Sequence, residues 1–187
     1  MYKLIPWTKD LDLSDFYNEA LRRGFHNNSS EKLMINCFDN EKHKQVWILY
    51  YNNQAVGSVG AHSLPELGSN AYRIAARTCT FTDKLPGTYG NGLHTITDIT
   101  TLQNPTAQFF LPACIDWAPK SADLYITSFN GAVGTQRLIH KIACPALEKI
   151  SILTKACNIE YRGHLQTFWK LNVDLFNKQL SRYTRWI

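Results

Sequence analysis

The spacing of apolar residues switches between helical and strand periods along this chain, and the switches mark out its elements. Residues 2–7 read as a short strand closed by Pro6-Trp7. Asp12 is placed to cap a helix in which Leu13, Phe16, Tyr17, Ala20 and Leu21 recur at spacings of three and four, one buried stripe. Gly24 after Arg22-Arg23 is a stop signal. After the polar loop 27–30, the pairs Leu33/Cys37 and Met34/Phe38 predict a second helix. The helical period then gives way to apolar runs rich in β-formers. Residues 46–51 (Val-Trp-Ile-Leu-Tyr-Tyr), a turn at 52–54 and the returning run 55–61 predict a β-hairpin. A turn at 68–70 leads into a long strand over 72–82, with Tyr72, Ile74 and Ala76 on one face and Arg73, Ala75, Arg77, Cys79 and Phe81 on the other.

The stretch 83–103 has little periodicity and carries Gly87, Gly90 and Gly92, so it is a long irregular connection of the kind that is usually functional or mobile. Asn104-Pro105 predicts the start of a helix running through Phe109, Phe110, Ala113, Cys114 and Trp117, kinked or broken by Pro112 and ended by Pro119. Residues 124–128 form a short buried strand. Leu138, Ile142, Ala146 and Ile150 mark another helix, interrupted by Pro145. Strands at 155–161 and 166–171 flank Arg162-Gly163, and Phe176, Leu180 and Tyr183 make 173–187 an amphipathic helical tail. The whole is a mixed α/β chain of one domain, with a central mixed sheet of six to seven strands and helices on both faces.

Composition changes this picture little. Of 187 residues, 44% are hydrophobic and 19% charged, an ordinary globular balance that can bury a core. The net charge of +5 permits an anionic ligand such as a nucleotide or coenzyme A without requiring one. Five cysteines (Cys37, Cys79, Cys114, Cys144, Cys157) lie far apart with no Cys-x-x-Cys spacing, which predicts reduced thiols and a cytoplasmic protein. No apolar window reaches the ~18–20 residues of a membrane span, so no membrane association is expected. The histidines never fall at metal-ligand spacing with one another, and no metal is expected. There is no Gly-x-Ser-x-Gly elbow, no phosphate loop of the Lys-Ser/Thr type and no RNA-recognition signature, so no specific nucleic-acid partner is expected either.

The order strand, two helices, three antiparallel strands, helix, strand, helix, two strands resembles the GNAT superfamily of N-acetyltransferases over residues ~2–172, nearly the whole chain. The segments that carry the likeness are the hairpin 46–62, the strand and following helix from 124, and the pair 155–161 and 166–170. The chain is also similar to uncharacterised acetyltransferase-like proteins of marine phages.

The resemblance implies a specific chemistry. The strands at 72–82 and 124–128 would part so that the pantetheine arm of acetyl-CoA, or another acyl-CoA, lies between them. Cys79 and Phe81, on the parting strand, are then candidates to flank it, with a packed thiol the alternative at Cys79. The family's Gln/Arg-x-x-Gly-x-Gly/Ala loop is matched at Gly90 and Gly92, but its first position is Gly87. If the helix starts at Asn104, the amides offered to a pyrophosphate belong to Thr106, Ala107 and Gln108. Asn130 matches an asparagine that contacts coenzyme A. The family's acid for the leaving thiolate is a tyrosine that the helix 135–150 lacks, and His140 is its only residue of similar chemistry. Glu66 and Glu160 are candidates for the general base. Two functions fit: direct acyl transfer to a small-molecule or peptide amine in a ternary complex, or a non-catalytic binding protein on the same fold.

Overall fold

The computed structural model describes residues 1–23, 43–85, 102, 106–131, 139–161 and 163–182, and leaves aside the side chains of 75–79, 82, 106, 129, 139, 140 and 161. The second helix expected at 33–38 and the glycines of 87–92 lie outside the described residues.

The predicted hairpin forms β2 (Lys44–Tyr51) and β3 (Gln54–Ser63). Its connection is tighter than the sequence suggests. Tyr51 pairs with Gln54, so Asn52-Asn53 alone make the turn. Both have positive φ, 48° and 64°, as a type I′ turn requires, and asparagine tolerates that region. β1 (Tyr2–Pro6) pairs antiparallel with β2, and β4 (Ala71–Thr80) pairs antiparallel with β3. β5 (Asp123–Phe129) runs parallel to β4. β6 (Leu153–Tyr161) and β7 (His164–Leu171) form the last hairpin. β7 inserts beside β5, giving one mixed sheet in the order β1-β2-β3-β4-β5-β7-β6.

Helices cover both faces. α1 (Ser14–Arg22) buries Phe16 and Ala20 against Val46, Ile48 and Phe81. Asp12 does not cap through the helix's own N-cap, which is Leu13. Its carboxylate instead accepts from the amide and hydroxyl of Ser14 at 3.1 and 2.8 Å. On the other face, α2 (Leu111–Trp117), α3 (Cys144–Lys149) and α4 (Val173–Leu180) pack on Trp47, Leu49, Tyr72, Ile74, Leu124 and Trp169. Phe176 of α4 is wholly buried there, a burial that contributes roughly 1.5–3 kcal/mol.

The helices change type next to Pro112 and Pro145. Each stands at the second position of an α-helix preceded by a π-helical turn, Thr106–Phe110 and Ile139–Ala143. Proline cannot donate to the carbonyl four residues back and its ring crowds that carbonyl. The wider i→i+5 turn relieves both demands. α4 begins at Asn172, whose side chain accepts from the Leu175 amide at 3.1 Å.

Candidate active site

The parallel ladder between β4 and β5 is short. It has three pairs, Ala71–Asp123, Tyr72–Leu124 and Arg73–Tyr125. Beyond them β4 stays with β3 as far as Thr80, and β5 stays with β7 as far as Phe129, but the two strands no longer pair with each other. The cause is visible in the register. Between Ser58 and His62 the pairing of β3 with β4 shifts twice, so β4 spends two extra residues over that span. Bulges of this kind bend a strand and increase its local twist. The middle of the sheet therefore forks, and each inner edge turns backbone amide and carbonyl groups toward a gap that the other edge does not fill. Such edges are complementary to an extended ligand arm that carries its own amides.

The two faces of the fork differ. On the side of α2 and α3, a polar line runs between elements. The indole N–H of Trp169 donates to the Ser128 hydroxyl at 2.9 Å, and Ser128 in turn hydrogen-bonds the Cys144 thiol of α3. Burial pushes that thiol up to about 12, against which the serine bond is a smaller opposing effect. Cys144 is thus a packed thiol at neutral pH. Near it, the buried Thr167 hydroxyl lies 2.7 Å from the side-chain oxygens of both Asn130 and Asn158. A hydroxyl has one proton, so it donates to one of these two oxygens at a time. On the opposite face, the half-buried Arg73 donates from Nε to Thr127 Oγ1 at 2.9 Å, across the apex. Beside it on β3, His62 is fully buried, and its Nδ1 stands 2.7 Å from the Ser63 carbonyl. That carbonyl can only accept, so Nδ1 carries a proton.

The predicted site residues are distributed unevenly around this fork. Asn130 follows the end of β5 at the open end, with its backbone N–H on the Leu165 carbonyl at 3.1 Å. The backbone of Cys79 lies on the diverging arm of β4, opposite Ser58. Phe81, just past β4, is wholly buried; its ring packs on Phe16 of α1 and carries the Arg23 guanidinium 4.6 Å from its centre. The backbone of His140 lies in the π-helical turn that leads into α3. Glu160 is exposed on β6, paired with Leu165, and β7 separates its strand from β5. Glu66 belongs to the short 3-10 turn Pro65–Leu67 before β4. Gly87, Gly90 and Gly92 lie outside the described residues. The structure thus brings Asn130 and the Cys79 backbone to the arms of the fork and sets Glu160 apart from it. The sequence reading missed Arg73–Thr127 and the Trp169–Ser128–Cys144 line; an arginine on a strand face otherwise rich in apolar residues was the available signal for the first.

Among the described residues no cluster of His, Cys, Asp or Glu stands at metal-binding distances, and no helix is long and apolar enough to cross a membrane. A groove of about 910 Å³, lined in part by Lys120, Lys170, Asn172 and Asp174, lies at the paired end of β5, away from the open end.

No family model and no curated protein matches the sequence. Solved structures do match the fold. Aminoglycoside acetyltransferase AAC(6')-Ib, in complex with coenzyme A and kanamycin, superposes with a TM-score of 0.57 at 10% identity, over 95% of this chain and 98% of that one. An uncharacterized protein from Bacillus halodurans gives 0.55 at 9% identity over 98% and 90%. FeeM, an N-acyl amino acid synthase from uncultured soil microbes, gives 0.52 at 8% identity over 98% and 97%. The seven-stranded mixed sheet with helices on both faces is therefore the GNAT-type fold, shared with proteins that transfer acyl groups.

Proposed function

We propose that this protein is an acyl-CoA-dependent N-acyltransferase that passes an acetyl or related acyl group directly to the amine of a small molecule or peptide. The observation that carries this reading is the fork: a β4–β5 ladder that ends after Arg73 and Tyr125 while both strands continue. Pantetheine is a thin arm with two amides, and it fits a gap edged by backbone donors and acceptors. Support comes from the shared fold of a neighbour that holds coenzyme A together with an amine-bearing acceptor.

In such a reaction the amine nitrogen attacks the thioester carbonyl. The C–N bond forms and the C–S bond breaks, the amine gives up a proton to a base and the departing thiolate takes one up. His140, in the turn leading to α3, is the proposed acid. The base does not come from a β4 or β5 carboxylate, because Asp123 is the only one on these strands. It sits at the paired end, 2.9 Å from Lys170. The free thiols of Cys114, Cys144 and Cys157 suit the cytoplasm.

One observation favours the second reading, a binding protein that has lost its chemistry. Glu160 stands on the outer strand with β7 between it and the fork. Calorimetry with acetyl-CoA and desulfo-CoA separates the alternatives. Binding of both, followed by release of free thiol when amines are supplied, is the outcome expected of the enzyme. Binding without turnover of any amine selects a binding protein that has kept its ligand, and absence of heat at millimolar ligand removes the enzyme and leaves an interaction protein ahead.

A further inference from the structure

We infer that Arg73 is a positioning residue that fixes the opening of the fork by clasping β4 to β5 at its apex; the inference rests on the reading that a ligand arm occupies that gap. Three parallel pairs are a weak hinge, since parallel pairing is slightly less stable per residue than antiparallel and a ladder frays from its end. The two register shifts in β4 pull its free arm away. Arg73 is the last paired residue of β4, and Thr127 is the first residue of β5 beyond the ladder whose side chain lies on the same face. Their bond, Nε to Oγ1 at 2.9 Å, therefore closes the apex two residues of β5 past the last backbone pair.

The chemistry of that bond suits a clasp. It is charge-assisted, so it is stronger than a neutral hydrogen bond. It uses Nε, whose N–H direction is fixed by the planar guanidinium close to the chain, so a lysine ammonium cannot reproduce it. On the other face the next residue, Ser128, is tied to Trp169 of β7. β5 is thus held from both sides at consecutive residues, just where the gap begins. A gap of set width spares a ligand the cost of ordering it, which favours affinity.

The test compares Thr127→Val, Arg73→Met, the double variant and Thr127→Ser with the unaltered protein. In the ligand-free protein, amide exchange over residues 71–73 and 123–125 should be about tenfold faster in each of the first two, the scale of one hydrogen bond to a charged group. The double variant should be no faster than the faster single, because both remove one interaction. Thr127→Ser, which keeps the acceptor, should exchange like the unaltered protein. Coenzyme A affinity by calorimetry should fall about tenfold in Thr127→Val and be restored in Thr127→Ser. Exchange in Thr127→Val that matches the unaltered protein, or additive acceleration in the double variant, overturns the clasp. Faster exchange with undiminished coenzyme A affinity overturns the positioning role. If the unaltered protein binds no coenzyme A, the acyl-CoA reading fails, and exchange still decides the clasp on its own. Should Arg73→Met not fold, the Thr127→Val and Thr127→Ser pair carries the test.

Discussion

Ser128 shows how much one hydroxyl can hold at a strand end. It accepts from the buried Trp169 indole and meets the Cys144 thiol, so it joins β5, β7 and α3. Ser128→Ala leaves the indole N–H without that acceptor, and an orphaned buried donor costs ~1–3 kcal/mol; the urea midpoint should fall accordingly. A midpoint unchanged from the parent protein would mean that the indole finds another acceptor. Cys144 supplies a second prediction, in pH. Its folded pKa is raised by burial from the ordinary 9.0 to about 12, so the folded state keeps a proton that the unfolded chain gives up. That contribution to stability is whole below about pH 9 and is lost as the pH climbs toward about 12. At pH 8 a maleimide should label Cys144 only as fast as the protein opens, and rapid labelling would contradict the packed thiol. His140 carries the catalytic prediction. If it protonates the leaving thiolate, His140→Ala lowers kcat roughly 100- to 10,000-fold and leaves coenzyme A affinity nearly unchanged. Equal kcat would assign that proton to solvent.

Elements divide into those that periodicity made legible and those it could not. The hairpin β2–β3 followed from apolar runs rich in β-formers, which are buried on both faces, and the faces of Tyr72, Arg73 and Ile74 followed from a period of two. The parting of β4 from β5 was read from resemblance, and the bulges that produce it have no signal in β4, whose residues between Arg73 and Cys79 include no glycine. Glu160 stands one strand away from β5 for a topological reason. A hairpin's hydrophobic pattern gives the faces of β6 and β7 but not which of the two sits beside β5, and β7 does. The same limit hid the clasp, which joins residues 54 apart in sequence. Proline at 112 and 145 was legible as a disturbance, while the π-helical turns that absorb it were not. One element-scale prediction concerns α1. Hydrogen bonds from Arg22 and Arg23 hold the Glu19 carboxyl down to about 2, and Arg23 also pairs with Asp83 beyond β4. A depressed carboxyl stabilises the folded state above its unfolded pKa of about 4.5 and loses that effect as the pH falls toward about 2. Glu19→Gln should flatten the acid limb of the stability curve in that window, more visibly at low salt, because the pairs lie near the surface, with Arg22 exposed, and are screened. An acid limb identical to that of the parent protein would assign the transition to other carboxylates.

At the scale of the molecule, the sheet is two antiparallel halves, β1–β4 and β5–β7, joined by three parallel pairs. The join is the weakest seam of the sheet, and it is also where backbone groups face a gap. The proposed site and the shortest pairing thus coincide, as expected where a ligand completes a structure. The groove lined by Lys120, Lys170 and Asp174 offers a competing address for an anionic ligand at the opposite end of β5. Two-dimensional amide NMR during titration with coenzyme A decides between them. An arm lying in the fork should move the amides of residues 126–130 and of the diverging half of β4 most, and leave the Lys120 to Asp174 groove still. Shifts confined to that groove, or no shifts at millimolar coenzyme A, would contradict the account.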